Sequence, residues 1–154
     1  MYERVLVPLD GSHVSESVLP KLADLISKFS PEIKVEVTLL QVLSPVEPRY
    51  IEGYAAPDVA YTEQQMEESR RKAIDYLSKT GEALRGGGAA VLPRVAFGKP
   101  WDEIVKAAEE VDADLIAMST HGRSGIGRWA FGSVTDRVLR AEGRIPILLI
   151  RAQD

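Results

Sequence analysis

The residues best suited to chemistry lie in one stretch, Ser119-Thr-His-Gly122-Arg-Ser-Gly125-Ile-Gly127-Arg-Trp-Ala-Phe-Gly132-Ser133-Val134-Thr135. Small residues and glycines let backbone amides come close to a ligand. Gly132-Ser133 stands where a helix is predicted to begin, and the unpaired N–H groups of a helix start favour an anion. Ser133 and Thr135 add hydroxyl donors, so the stretch could cradle a phosphate. It could equally be a glycine-rich connection ahead of an ordinary serine-capped helix. A second candidate is Pro8-Leu9-Asp10-Gly11-Ser12. A carboxylate at the end of a strand can accept from a ligand hydroxyl or amine, or hold Mg²⁺ through water. Asp-Gly is also turn chemistry, and on the residues alone the turn is the favoured reading of Asp10.

Other chemistries are poorly served. Gly125-Ile-Gly127-Arg-Trp-Ala130 has the spacing of a dinucleotide fingerprint, but it stands several residues after a strand instead of tight against it. Gly98-Lys99-Pro100 lacks the remaining parts of a Walker A loop, and no G-x-S-x-G elbow occurs. The two histidines, His13 and His121, have no metal-ligand spacing. Nothing in the spacing supports a triad of Ser133, His121 and Asp10. The chain has no cysteine, which excludes disulfides, thiolate metal sites and cysteine nucleophiles. No general base or metal cluster stands out, so binding is expected rather than strong catalysis.

The 154 residues, 45% of them hydrophobic, suit a single domain spanning 1–154. No apolar run is long enough to span a membrane, and the opening residues do not form a signal peptide. A cytoplasmic protein is expected, with no membrane partner. The net charge of −4 argues against broad nucleic-acid binding. It is unevenly spread. Residues 121–151 carry six arginines against Asp136 and Glu142, while residues 1–120 carry 13 basic and 20 acidic side chains.

Two kinds of segment alternate to position these candidates. Short apolar runs at Arg4–Leu9, Val35–Val42, Ala89–Val95, Asp114–Met118 and Ile145–Ile150 suit strands buried on both faces. Helical patterns lie between them. Ser12 can cap a helix to about Phe29, within which Pro20 should bend the helix or shift its start. Thr62 can cap one to about Leu84, Pro100 can open one to about Val111, and Ser133 opens the last. Such alternation predicts a parallel sheet with helices on both faces, which binds ligands at the carboxyl ends of strands where strand order reverses. Residues 44–61, with three prolines and three tyrosines, are expected to form one long irregular connection.

The combined pattern resembles the universal stress protein family over nearly the whole chain. It is carried by Arg4-Val-Leu-Val-Pro-Leu-Asp-Gly-Ser12, by Ala113-Asp-Leu-Ile-Ala-Met-Ser-Thr-His-Gly-Arg-Ser124, and by Gly132-Ser133-Val134-Thr135 with the closing Ile145–Ile150. The family's nucleotide-binding branch carries G-x2-G-x9-G-[ST]. Gly122 and Gly132-Ser133 match its later part, and Ser119 stands in place of its first glycine.

The resemblance implies an open five-stranded parallel sheet, order 3-2-1-4-5, of the Rossmann-like, adenine nucleotide alpha hydrolase-like kind. It implies a stress-response protein that binds ATP or AMP, with Mg²⁺ as a candidate companion and at most slow hydrolysis. Pro8, Leu9 and Asp10 would lie near the adenosine, and Val42 would hold adenine through its backbone. Met118, Ser119, His121, Gly122 and Arg123 would line the ribose and phosphate side. Gly132, Ser133, Val134 and Thr135 would grip the phosphates. The resemblance also implies a homodimer through the last strand, Ile145 to Ile150, which fits the exposure of an apolar edge. The alternative is a nucleotide-free dimeric interaction module of the same fold.

Overall fold

All five apolar runs become strands of one sheet in the computed structural model, which describes residues 3–120, 133–141 and 143–152. The strands are β1 (Arg4–Pro8), β2 (Glu36–Leu43), β5 (Ala90–Phe97), β6 (Leu115–Thr120) and β7 (Ile147–Arg151). A separate hairpin of β3 (Val46–Ile51) and β4 (Tyr54–Ala60) lies between β2 and the next helix. The sheet runs β5-β2-β1-β6-β7 with every pairing parallel. Counted among themselves, its strands have the expected order 3-2-1-4-5.

Alternation along each strand sends side chains to two apolar layers. On one side Val5, Val7, Val37, Leu39 and Ala117 meet α2 (Val18–Ser27), α3 (Glu63–Thr80) and α4 (Glu82–Gly86) through Leu22, Leu77 and Leu84. On the other side Leu6, Leu40, Ile116 and Met118 meet α5 (Pro100–Glu110) and α6 (Ser133–Arg140) through Ile104, Ala108 and Val138. Strands covered on both faces need apolar residues at nearly every position, which explains their continuous runs. The edge strand β5 is the exception. It keeps Pro93 and a half-exposed Leu92, both tolerable where one side of the strand faces outward.

The first helical pattern splits. Ser12 caps α1 (His13–Glu16), and α2 begins afresh at Val18. Pro20 is the third residue of α2. Its ring would collide with the carbonyl of Glu16 in an unbroken helix, so the helix restarts instead. The second pattern also divides. Thr62 and Gln65 form a reciprocal capping box at the start of α3, and α3 stops at Gly81 before α4 begins. A Cβ at Gly81 would come within 2.7 Å of Val91 and 3.0 Å of Leu39, so only glycine lets the helix junction sit this close to the sheet.

Residues 44–61 correct the sequence reading. They form an antiparallel hairpin, not an irregular connection. Its turn is Glu52-Gly53, both at positive φ (51° and 82°), as a two-residue turn matching the twist of the strands requires. Pro48 falls at the register shift between Glu47 and Arg49, with Pro57 across from it. The prolines therefore occupy a bulge, where a missing N–H costs no ladder bond.

Candidate functional site

The sheet forks where its strand order reverses. β1 and β6 pair only at Val5–Leu115 and Leu6–Ile116, although β1 runs on to Pro8 and β6 to Thr120. A cleft of about 340 Å³ opens beyond the last pair. Pro8, Leu9, Leu40 and Val42 form its wall at the ends of β1 and β2. Met118 and Ser119 bring in β6, while Pro100 and Ile104 bring in the start of α5. Val134 and Thr135, the second and third residues of α6, and Ser12, Val14 and Ser15 at α1 complete the lining. The amino end of α6 therefore opens on the cleft, with its first-turn N–H groups lacking acceptors within the helix. Asp136, one residue on, is held by Arg140, whose Nε lies 3.0 Å from both carboxylate oxygens.

A small hydrogen-bonded loop sets the polar corner. The Asp10 carboxylate accepts from the Ser12 amide at 2.9 Å, and the Ser12 hydroxyl accepts from the Ser15 amide at 3.1 Å. Ser15 Oγ donates to the Ser12 carbonyl at 2.9 Å. Partial burial pushes the Asp10 carboxyl up, but hydrogen bonds from Ser12 and Ser15 outweigh it and hold the group below the usual carboxylate range. Asp10 therefore stabilises the folded protein above about pH 4, and that contribution fades as pH falls through its lowered pKa. In Asp10→Asn, acid unfolding followed by circular dichroism should begin at lower pH relative to the variant's own neutral-pH stability.

Two ties hold α1 against its neighbours. Ser119 Oγ donates to the Ser15 carbonyl at 3.2 Å. On the far side, the Tyr76 hydroxyl donates to Glu16 Oε1 at 2.7 Å. Burial and then the Glu16 bond raise the Tyr76 pKa well above its ordinary value, so it remains a donor at any physiological pH. The hydroxyl of Ser119 is thus engaged by α1 while the residue lines the cleft.

Of the residues named from sequence, Pro8, Leu9, Asp10, Val42, Met118, Ser119, Val134 and Thr135 line this one cleft. Ser133 begins α6. His121, Gly122, Arg123 and Gly132 lie outside the described residues. Sequence reasoning named Ser12 in the segment after β1 and as a helix cap, and passed over Val14 and Ser15 of α1 as well as Leu40, Pro100 and Ile104 as parts of the site. Pro100 was recognisable as a helix start, but nothing in its spacing tied that start to β2. Among the described residues no group of three His, Cys, Asp or Glu side chains could hold a metal, and no helix is long and apolar enough to cross a membrane.

The family model described as the Universal stress protein family matches residues 1–151. The chain belongs to that family. A putative universal stress protein of Staphylococcus saprophyticus is 28% identical, aligned over 99% of this chain and 86% of its own length. Among solved structures, a universal stress protein of Archaeoglobus fulgidus in complex with dAMP has a TM-score of 0.62 at 23% identity, covering 97% of this chain and 98% of its own. Another universal stress protein, in complex with cAMP, has a TM-score of 0.65 at 19% identity and covers 97% of both chains. These likenesses establish the fold of this universal stress protein; its ligand must be argued from the cleft.

Proposed function

We propose that the protein binds an adenine mononucleotide, ATP or AMP, in the cleft at the sheet fork and acts through binding. The observation that carries this reading is the division of the cleft into two chemistries. Pro8, Leu9, Val42, Met118 and Ile104 offer an apolar slot for a flat base. Asp10, Ser12, Ser15 and Thr135 offer acceptors and hydroxyls beside it, with the amino end of α6 suited to phosphate oxygens. Ser133 and the sequence positions His121, Gly122, Arg123 and Gly132 would complete the phosphate side. The nucleotides held by the two solved relatives are of the same class.

Asp10 is the only ionisable side chain among the described residues of the cleft, and its lowered pKa makes it a poor general base. Hydrolysis would accordingly be slow, with Asp10 also the one carboxylate placed to hold Mg²⁺ through water. The outer edge of β7 has Ile147, Leu148, Leu149 and Ile150 all half-buried. Antiparallel pairing with a second copy would cover that edge and make a homodimer. A cytoplasmic setting suits a chain with no disulfide to protect.

Mass spectrometry of small molecules released on denaturing the freshly purified protein should reveal an adenine nucleotide. Equilibrium dialysis with labelled ATP and with labelled AMP should saturate at one nucleotide per chain. No uptake of either at millimolar concentration would leave the nucleotide-free interaction module as the better account.

A further inference from the structure

Beyond the Leu6–Ile116 pair, β1 and β6 part, and a side-chain bond bridges the gap. Ser119 Oγ on β6 donates to the Ser15 carbonyl on α1 at 3.2 Å. Ser15 is in turn the centre of the turn that carries Asp10. Its amide donates to Ser12 Oγ at 3.1 Å, and its hydroxyl donates to the Ser12 carbonyl at 2.9 Å. The same hydroxyl accepts from the Asp10 amide at 3.3 Å. The Ser12 amide then donates to Asp10 Oδ1 at 2.9 Å. A chain of bonds thus runs from β6 to the carboxylate at the end of β1, and Ser119, Ser15, Ser12 and Asp10 all line the cleft.

The two ends of this chain differ in firmness. Ser119 is a fixed point, because its main chain pairs with Ile150 in the β6–β7 ladder. α1 is not. It has four residues and buries none of them, far short of the roughly 12–15 that a helix needs to stand alone in water. Tyr76 holds α1 by the Glu16 side chain at its far end. Ser119 instead grips the main chain of Ser15, the residue that anchors the turn.

We propose that Ser119 is a positioning residue for the nucleotide site, setting the place of the Asp10 carboxylate through Ser15 from across the fork. Its effect on a ligand rests on the nucleotide reading above, whereas its effect on the turn does not. Ser119 acts through its hydroxyl, and through Asp10.

The test uses two side chains of one shape. Ser119→Thr keeps the hydroxyl, and Ser119→Val puts a methyl in its place. Each is made alone and together with Asp10→Asn, with circular dichroism to verify the fold, and ATP binding is measured by titration calorimetry. Ser119→Val should bind roughly fivefold more weakly than Ser119→Thr, the effect of losing one neutral hydrogen bond. With Asp10→Asn present, the two should bind alike. The second readout needs no ligand. Hydrogen bonds from Ser12 and Ser15 hold the Asp10 carboxyl below its usual range, so its titration, followed by carbon NMR, reports on the turn. It should rise toward the ordinary carboxylate value in Ser119→Val and stay low in Ser119→Thr. His13, Glu16 and Tyr76, the other titratable groups around α1, are the same in both variants. If Ser119→Val does not fold, Ser119→Ala replaces it in both measurements.

Equal affinity in the threonine and valine variants overturns the role. So does a valine deficit that persists in the Asp10→Asn background, since a merely deformed cleft would bind poorly with or without the carboxylate. If the unmodified protein takes up no nucleotide, the nucleotide reading fails by itself. The titration still decides the turn, and an Asp10 carboxyl that titrates alike in both variants overturns the positioning too.

Discussion

Val42→Trp should weaken nucleotide binding by roughly a hundredfold, about 2.7 kcal/mol, while the protein stays folded. Val42 lies near the end of β2, half-buried, with one side packed on the α5–α6 layer and the other facing the cleft. A larger side chain cannot expand into the packed layer, because close-packed interiors resist added volume. The cleft is the open direction, so the indole should occupy the slot assigned to the base. Val42→Ala is the matching control. It keeps the backbone groups proposed to meet adenine and leaves the slot open, so affinity should change only a few-fold. Titration calorimetry with ATP on both variants, with circular dichroism to verify the fold, checks the prediction. Undiminished affinity in the tryptophan variant would move the nucleotide elsewhere.

The second large effect concerns stability. Leu6 has no exposed surface and lies in β1, the central strand, facing the α5–α6 layer with Leu40, Ile116 and Met118. Leu6→Ala removes buried methyl groups and leaves a void that strands fixed on both sides cannot close. A loss of about 2–5 kcal/mol is expected. At about 2–4 °C per kcal/mol for a chain of this size, the Tm should fall by about 10 °C. Urea unfolding should show a lower midpoint with an unchanged slope. The exposed Leu92→Ala on the edge strand should do little by comparison, since that side chain is already about half in water.

The contrast between those two leucines also explains what could be read from sequence. Runs such as Arg4–Pro8 and Leu115–Met118 are continuous because both faces are buried, and that signal survives without any knowledge of partners. Pro20 announced a restart because its ring geometry is local. The hairpin was hidden for the opposite reason. Pro48 and Pro57 argue against a strand in general, and only the pairing of the two segments turns them into a bulge. Glu52-Gly53 is a turn signal, but glutamate at positive φ is uncommon enough to hide it. In the cleft, Asp10 and Thr135 belong to segments with recognisable chemistry. Leu40 and Ile104 do not, since an apolar wall carries no motif. The bond from Ser119 to Ser15 spans 104 positions and depends on how β6 lies beside α1, which spacing within either segment cannot reveal.

The short ladder between β1 and β6 bears on how the molecule breathes. Eight register pairs join β2 to β5 and five join β6 to β7, but only two join the halves of the sheet. The fold is in effect two wings meeting along a thin seam, with the cleft at its open end. Thermal opening should start there, and amide exchange should be fastest along that margin of β1 and β6. A guest touching both wings would act as a rivet, so occupancy could be felt as stiffness across the whole sheet without any element changing its place.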